Sequence, residues 1–244
     1  MLSKKPWQPE LVLLFCGAQF LCVALGQIGV LFLHKFGAGG FKHENDFGNI
    51  LLATLSFQGA TWILIPIFLR LQQWHWRDAF GFRKMEFLPS LTLAAAAFIP
   101  VLFVALLLQS LSVLAMQKLH WQPGQETAVK LLLTARWWPT GVYLAFFAVV
   151  LASVAEEFIF RGVLFPFLKE LGHPKAAWLG VSALFALIHG DAAVFLPLFV
   201  LALALTWLYE KTGNLLAPIA VHGLFNAANL VVFYFYFAQK YGAV

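Results

Sequence analysis

The chain has 244 residues, of which 61% are hydrophobic and only 11% are charged, and its mean hydropathy is +0.82. A soluble domain carries about 25% charged residues, and the surface of a globule of this size needs polar groups, so the composition excludes a soluble globular protein. The net charge is +5, but the basic residues lie mostly in short gaps between apolar runs. This pattern argues against a nucleic-acid-binding surface and for an integral membrane protein.

The first half of the sequence contains three apolar runs that are long enough to span a bilayer. We predict spanning helices at about residues 11–33, 49–69 and 88–116. The connector at 71–87 carries tryptophan and basic residues, which suit the headgroup layer. A polar interlude follows at 117–139, where the Pro123-Gly124 pair indicates a turn and a short amphipathic helix is predicted near 127–135.

The second half contains four more apolar segments. We predict helices at about residues 140–168, 175–189, 193–208 and 215–237, with polar turns at Gly172-His173-Pro174 and at 210–214. The expected fold is all-α, a polytopic transmembrane bundle of about seven to eight helices with a buried polar site. An eighth helix would come from a break in the third segment or from residues 117–136. We expect one structural domain, with N-terminal helices and connectors at 1–139 and catalytic helices at 140–244.

The distribution of basic residues predicts the orientation in the membrane. With the N-terminus inside, nine lysines and arginines fall in inner connections and six in outer ones, leaving out Arg161 as intramembrane. Because positive charge is retained on the cytoplasmic side, this bias favours a cytoplasmic N-terminus. We expect a multi-pass protein of a bacterial cytoplasmic membrane.

Three ionisable residues lie inside the fourth apolar segment: Glu156, Glu157 and Arg161. Each opposes membrane insertion by about 2.5–3.5 kcal/mol at the centre of a spanning helix. Glu157 and Arg161 are four residues apart, so they share a helix face and can form an ion pair. That pair leaves Glu156 unexplained, because it points about 100° away from Glu157 around the helix. Intramembrane charges of this kind indicate a functional site.

Two histidines and an asparagine also occur in later apolar segments. His189 ends the fifth segment, while His222 and Asn226 lie four residues apart on one face of the seventh. At about 1.5 Å of rise per residue, Glu156 and His189 are each expected about 22 Å from the turn at 172–174. The same rise places His222 and Asn226 about 10 and 16 Å deep. Antiparallel packing can therefore gather all four groups into one buried cluster.

This set of residue types points to hydrolysis by an activated water. A carboxylate and an imidazole can hold and deprotonate one water molecule, and donors from one helix face can stabilise an oxyanion. No serine or cysteine stands at a convincing nucleophile position. Ser153 and Ser182 lie in apolar helices, where serines commonly bond to their own backbone. The chemistry that fits is attack of water on an amide.

Three short motifs carry a resemblance to a known family. Residues 156–161 (EEFIFR) resemble the EExxxR motif of the CAAX protease and bacteriocin-processing enzyme family, 185–189 (FALIH) its FxxxH motif and 222–226 (HGLFN) its HxxxN motif. The approach to the third motif, 212–219 (TGNLLAPI), is also similar to that of the family. The resemblance covers about residues 145–233, and the three motifs occur in the family's order.

The resemblance implies an intramembrane glutamic endopeptidase without a metal cofactor. Glu156 would activate water with help from His189, His222 and Asn226 would form the oxyanion site, and Glu157 and Arg161 would be a supporting ion pair. The implied partners are the lipid bilayer and a hydrophobic or prenylated peptide substrate. CAAX-type processing is one expectation, and no nucleic acid is expected.

Two alternatives remain open from the sequence. Glu156, His189 and His222 are residue types that bind zinc, so a zinc-dependent membrane protease is one, although no HExxH motif is present. The other is a non-catalytic bacteriocin-immunity or transport protein, since intramembrane Glu, His and Arg also build proton relays. Transporters commonly show repeated halves, and this chain shows none.

Overall fold

The computed structural model describes residues 7–37, 47–82, 87–121 and 138–241, and the regular structure in these ranges is helical. The all-α fold predicted from the sequence is therefore confirmed. The amphipathic helix predicted near 127–135 lies outside the described residues. The third apolar segment is one uninterrupted helix, so an eighth helix does not come from a break there.

The N-terminal half forms three long helical segments, the first two of which are antiparallel, and one short surface helix between the second and the third. The elements are α1 (Pro9–Lys35), α2 (Phe47–Thr54), a π-helical stretch (Leu55–Gly59), α3 (Ala60–Leu71), α4 (Trp76–Ala79) and α5 (Phe87–Lys118). The C-terminal half begins with a helical segment that contains two π-helical stretches, and three further helices follow. It consists of α6 (Trp138–Phe146), a π-helical stretch (Phe147–Ala152), α7 (Ser153–Glu157), a second stretch (Phe158–Leu164), α8 (Phe165–Glu170), α9 (Pro174–Leu187), α10 (Ala192–Thr212) and α11 (Leu216–Tyr241).

Five helical segments among the described residues are long and apolar enough to cross a membrane. They are Pro9–Lys35, Gly48–Leu71, Pro89–Lys118, Gly141–Glu170 and Ala192–Thr212, and two shorter apolar helices cover Pro174–Leu187 and Leu216–Val232. These seven segments correspond to the seven predicted from the sequence. Their outer faces expose large apolar side chains, such as Phe20 at 75% and Phe103 at 70%, as lipid contact requires. The chain is a multi-pass integral membrane protein.

Two predicted helix ends were wrong. Helix α9 ends at Leu187, so His189 lies in the turn that follows it and not in the helix. Helix α10 continues to Thr212, and the polar residues assigned to a turn from Glu210 form its last turn instead. It ends where Gly213 adopts a left-handed backbone with φ of +62°, a conformation that glycine adopts at no steric cost.

The N-terminal residues and three connections meet at one end of the bundle, which we call the basic end. The backbone N–H of Gln8 donates to Gln72, and the N–H of Leu215 donates to the carbonyl of Phe80. Lys169 at the end of α8 pairs with Glu210 at the end of α10 at 2.7 Å. These contacts place the N-terminal residues, the 72–82 connector and the turns at 171–174 and 213–215 on the same side of the membrane.

An aromatic cluster fills the bundle between the basic end and the centre. The ring of Phe158 lies 4.7 Å from that of Phe80, 5.1 Å from Trp76 and 5.9 Å from Trp62. Phe80 also packs against Gly162, where a Cβ atom would collide with its ring. Because such rings bury large apolar areas, this cluster closes the interior of the bundle toward the basic end.

Each of the three π-helical stretches presents a backbone carbonyl to a side chain from another helix or from the N-terminal segment. The carbonyl of Phe57 accepts from Gln19, that of Ala148 from Asn226 and that of Gly162 from the Trp7 indole. A widened turn disturbs the regular i→i−4 ladder and so leaves carbonyl oxygens open to outside donors. The stretches therefore act as docking points between helices.

Candidate active site

The centre of the site is a buried ion pair in the turns after α7. Glu157 and Arg161 are both fully buried, and Arg161 Nη1 donates to Glu157 Oε1 at 2.7 Å. The rest of the guanidinium is bound by α10, because Nη2 donates to the carbonyl of Ala202 at 3.1 Å and Nε to Thr206 Oγ1 at 3.3 Å. The face of the Phe185 ring lies 4.7 Å from Arg161 Cζ. These partners offset part of the cost of burying the arginine.

The same carboxylate oxygen holds the histidine of α11. His222 Nδ1 lies 2.8 Å from Glu157 Oε1, so Glu157 binds Arg161 and His222 together. The opposite ring nitrogen, His222 Nε2, faces Glu156 Oε2 at 3.8 Å. The two adjacent glutamates therefore differ in role: Glu157 is enclosed in the core, whereas Glu156 stands at a cavity wall with His222.

His189 is held in position by the end of its own helix. Its Nδ1 lies 2.7 Å from the carbonyl of Phe185, one of the last α9 carbonyls, which has no partner within the helix. A carbonyl only accepts, so this nitrogen carries the hydrogen and donates it. In a neutral ring, Nε2 is then left as an acceptor. His189 lines the same cavity as Glu156 and His222.

Asn226 is fixed by a wide turn in the neighbouring helix. Its Nδ2 donates to the carbonyl of Ala148 at 2.9 Å and to Ser153 Oγ at 3.1 Å. Both amide hydrogens are thus donated to the helical segment that bears Glu156, which consists of α6, the π-helical stretch and α7. The backbone of α11 at Gly223 lies so close to the carbonyl of Val149 that a Cβ atom there would collide with it. This close approach of the two helices allows the Asn226 contact.

The four residues predicted as catalytic line one cavity in the middle of the bundle. Its volume is about 370 Å³, and Glu156, His189, His222 and Asn226 all contribute to its wall. The wall residues Ile50 and Val194 lie near the ends of α2 and α10 that are remote from the basic end. The cavity therefore extends from the polar cluster away from the basic end.

The zinc-ligand set considered from the sequence, Glu156, His189 and His222, lines one cavity. Among the residues that the structure describes, no group of three His, Cys, Asp or Glu side chains is arranged so that it could hold a metal ion. Both ring nitrogens of His222 face carboxylates of the protein, at 2.8 Å and 3.8 Å. The arrangement is that of a hydrogen-bonded acid–histidine cluster.

Sequence reasoning missed several residues that hold the site together. Thr206 binds Arg161, and Ser153 accepts from Asn226, although Ser153 was expected only to bond to its own backbone. The Ser153 hydroxyl does bond to the carbonyl of Ala148 as well. The available signal was a hydroxyl in an apolar helix, which is too common to identify a partner.

The buried Glu157–Arg161 pair is expected to affect the stability of the folded protein. We expect Arg161→Met to lower stability by about 3–5 kcal/mol, because it leaves the Glu157 carboxylate buried without its cation. The matched control is Lys169→Met, which breaks a partly exposed pair and should cost no more than about 1 kcal/mol. Thermal unfolding in detergent measures both.

The double variant Glu157→Gln/Arg161→Met should recover part of the loss, since it removes both charges. Equal melting temperatures for Arg161→Met and Lys169→Met would show that the buried pair does not stabilise the bundle.

The chain is similar to proteins already described, within its second half. Residues 136–228 match the family model of type II CAAX prenyl endopeptidase Rce1-like proteins. A curated relative, the UPF0177 protein YxdF of Lactococcus lactis subsp. lactis (strain IL1403), is 33% identical over 78 residues. That alignment covers 32% of this chain and 42% of the relative, so the chain spans less than half of the relative's length. No solved structure matches the chain.

The matched segment contains every candidate catalytic residue and the ion pair that supports them. Glu156, Glu157, Arg161, His189, His222 and Asn226 all lie between residues 136 and 228. Residues 136–228 of this membrane protein thus carry the sequence pattern of the Rce1-like type II CAAX prenyl endopeptidase family.

Proposed function

We propose that this protein is an intramembrane endopeptidase that hydrolyses a peptide bond in an apolar peptide segment. The observation that carries the proposal is the shared cavity, in which a carboxylate, two imidazoles and an amide meet inside a lipid-facing bundle. The likeness to CAAX prenyl endopeptidases supports it, because the matched segment includes all four groups. Ionisable and polar groups inside a membrane-spanning bundle are costly and commonly mark a functional site.

Glu156 and His189 are proposed to activate water together. The His189 ring donates through Nδ1 to the Phe185 carbonyl, so its Nε2 is an acceptor, as is the Glu156 carboxylate. A water molecule between them donates one hydrogen to each and turns a lone pair toward the substrate. As its oxygen bonds to the peptide carbon, Glu156 takes a proton. It then passes that proton to the amine as the C–N bond breaks.

His222 and Asn226 are proposed to stabilise the oxyanion of the tetrahedral intermediate. His222 keeps Nδ1 on Glu157, so donation through Nε2 requires a ring that carries both protons. The Asn226 amide donates to Ala148 and Ser153 in the resting structure. It must exchange the Ser153 contact for the oxyanion, while the Ser153 hydroxyl keeps its own donation to the Ala148 carbonyl.

The cavity wall indicates the class of substrate. Beside the polar groups it is formed by apolar side chains, including Leu144, Phe147, Leu198 and Phe225. Such a wall suits apolar peptide side chains or a prenyl chain, delivered from the bilayer. A hydrophobic or prenylated peptide is therefore the proposed substrate, and CAAX-type processing is the specific case that the family name suggests.

The proposal predicts a glutamate-dependent activity. Purified protein should cleave members of a panel of fluorogenic apolar peptides that includes prenylated CAAX peptides. Glu156→Gln should lower the rate by at least about 10²–10⁴-fold, because general base catalysis is lost. Glu170→Gln, at an exposed glutamate of α8, is the matched control and should retain the rate.

A strong chelator separates the two protease mechanisms in the same assay. We propose that no metal cofactor is needed, so cleavage should survive the chelator. Loss of cleavage with the chelator would favour the zinc alternative. Equal cleavage by wild type and Glu156→Gln would reject the mechanism. A protein that binds the peptides without cleaving any would fit the non-catalytic immunity or transport alternative.

The oxyanion role of Asn226 predicts a specific kinetic change. Asn226→Ala should lower kcat by about 10²–10³-fold and leave KM nearly unchanged, because the lost donor acts only in the transition state. Ser153→Ala removes the resting partner of the same amide and should cost far less. If Asn226→Ala raised KM and preserved kcat, the asparagine would bind substrate and not stabilise the oxyanion.

The basic end is proposed to face the cytoplasm. Arg70, Arg77, Lys169, Lys175 and Lys211 all lie near it, which agrees with retention of positive charge on the inner side. The cavity extends toward the other end of the bundle. In this orientation the N-terminal segment is inside, and the substrate approaches from the outer half of the membrane.

Single cysteines test this orientation. In a variant with Cys16 and Cys22 replaced by alanine, Ala192→Cys should react with a membrane-impermeant maleimide on intact cells. His173→Cys, in the turn before α9, should react only after the cells are permeabilised. The reverse pattern would place the basic end outside.

A further inference from the structure

Three uncharged amide side chains outside the recognised motifs line the same cavity as Glu156. They are Gln58 in the first π-helical stretch, Gln109 in α5 and Asn229 in α11. Two of the three come from the N-terminal half, which the family match does not cover. Three separate helices thus direct the same functional group into one space.

These three amides lower the free energy of unfolding at the positions that they occupy. Each is half-buried in an apolar spanning helix, and none forms a hydrogen bond or other polar contact with any part of the chain that the structure describes. A polar group taken from water without a partner lowers stability. Gln19, by contrast, is an intramembrane glutamine with an evident structural role, because it binds the carbonyl of Phe57 and the hydroxyl of Thr61.

The chemistry of an amide side chain matches that of a peptide backbone. Each one offers an N–H donor and a carbonyl acceptor without charge, so it can pair with a backbone unit whatever the neighbouring side chains are. A helical segment has already satisfied its own backbone groups within the helix. The three amides can therefore bind only a segment that is unwound or extended, which is also the form in which a peptide bond is open to attack.

The spacing along α11 relates these amides to the reacting groups. His222, Asn226 and Asn229 follow at intervals of four and three residues, so they lie along one face of the helix. Asn229 is three residues beyond Asn226 and seven beyond His222, which is about 4.5 and 10 Å along the axis. An extended chain rises about 3.3 Å per residue, so these distances correspond to roughly one to three residues of a bound peptide.

We propose that Gln58, Gln109 and Asn229 form a binding site for the main chain of an extended peptide, with Asn229 about one to three residues from the bond that is cleaved. The inference deepens the proposed function, since it assigns the binding of substrate in the same cavity. The apolar wall takes the side chains, while the amides replace the backbone hydrogen bonds that an unwound segment loses in the membrane.

Binding can be measured without turnover in the Glu156→Gln background. The protein is placed in lipid nanodiscs, and the probe is a fluorescein-labelled octapeptide of alternating Val and Ala, with empty nanodiscs correcting for partition into lipid. Gln58→Leu, Gln109→Leu and Asn229→Leu should each weaken binding by about fivefold, the equivalent of one net hydrogen bond. Gln27→Leu is the matched control, because Gln27 is exposed on α1 and does not line the cavity.

Methylated probes test whether the backbone is the group recognised. A version of the octapeptide with N-methyl groups on alternate amides keeps every side chain but loses about half of its backbone N–H donors. It should bind more weakly to the parent protein, and the leucine variants should lose less affinity for it than for the unmethylated probe. Thermal unfolding gives a second readout, since each leucine variant should be at least as stable as its parent.

The outcomes are decisive and independent of cleavage. Weaker binding in the amide variants, with unchanged or raised stability, supports the site even if no peptide in the panel is cleaved. Binding that is unchanged in all three variants, or absent in the parent, would overturn it. A fall in melting temperature with no effect of N-methylation would show that the amides are structural and would also overturn it.

Discussion

One carboxylate oxygen connects the helices that form the site. Glu157 Oε1 accepts from Arg161 on the following turn and from His222 on α11, and Arg161 in turn binds the backbone and a hydroxyl of α10. In a lipid-surrounded core, water cannot substitute for a missing partner, so each of these groups depends on the others. The α7 region, α10 and α11 are thereby fixed in register, and the position of His222 relative to Glu156 follows from that register.

The difference between the two adjacent glutamates follows from helix geometry. Neighbouring residues point about 100° apart, so only one of them can face the cavity. Glu157 turns into the core and is neutralised by Arg161, which leaves Glu156 beside the cavity with a histidine at 3.8 Å. The carboxylate at the cavity thus lies next to a second carboxylate that makes the structural contacts.

Irregular helix geometry, like the buried charges, joins the helices that form the candidate site. The π-helical stretch before α7 opens the Ala148 carbonyl to Asn226, and the one after α7 opens the Gly162 carbonyl to the Trp7 indole. Such stretches are frequent at functional sites. Here they join the helix that bears Glu156 to α11 on one side and to the N-terminal segment on the other. The aromatic cluster around Phe158 then closes the interior toward the basic end, so the cavity extends in the other direction.

The sequence by itself determined the class of fold, the approximate helices and the candidate residues, because bilayer thickness fixes the length of apolar runs and makes charges inside them conspicuous. It also indicated the Glu157–Arg161 pair, since residues four apart meet on a helix. Only the tertiary structure decided that His222 shares the Glu157 oxygen, that His189 is oriented by the Phe185 carbonyl, and that Thr206 and Ser153 take part. These contacts join residues on different helices, or depend on where a helix ends and where its turns widen. Neither is encoded in the hydrophobic pattern of a single segment, because that pattern records only which positions avoid water and not which neighbours they meet.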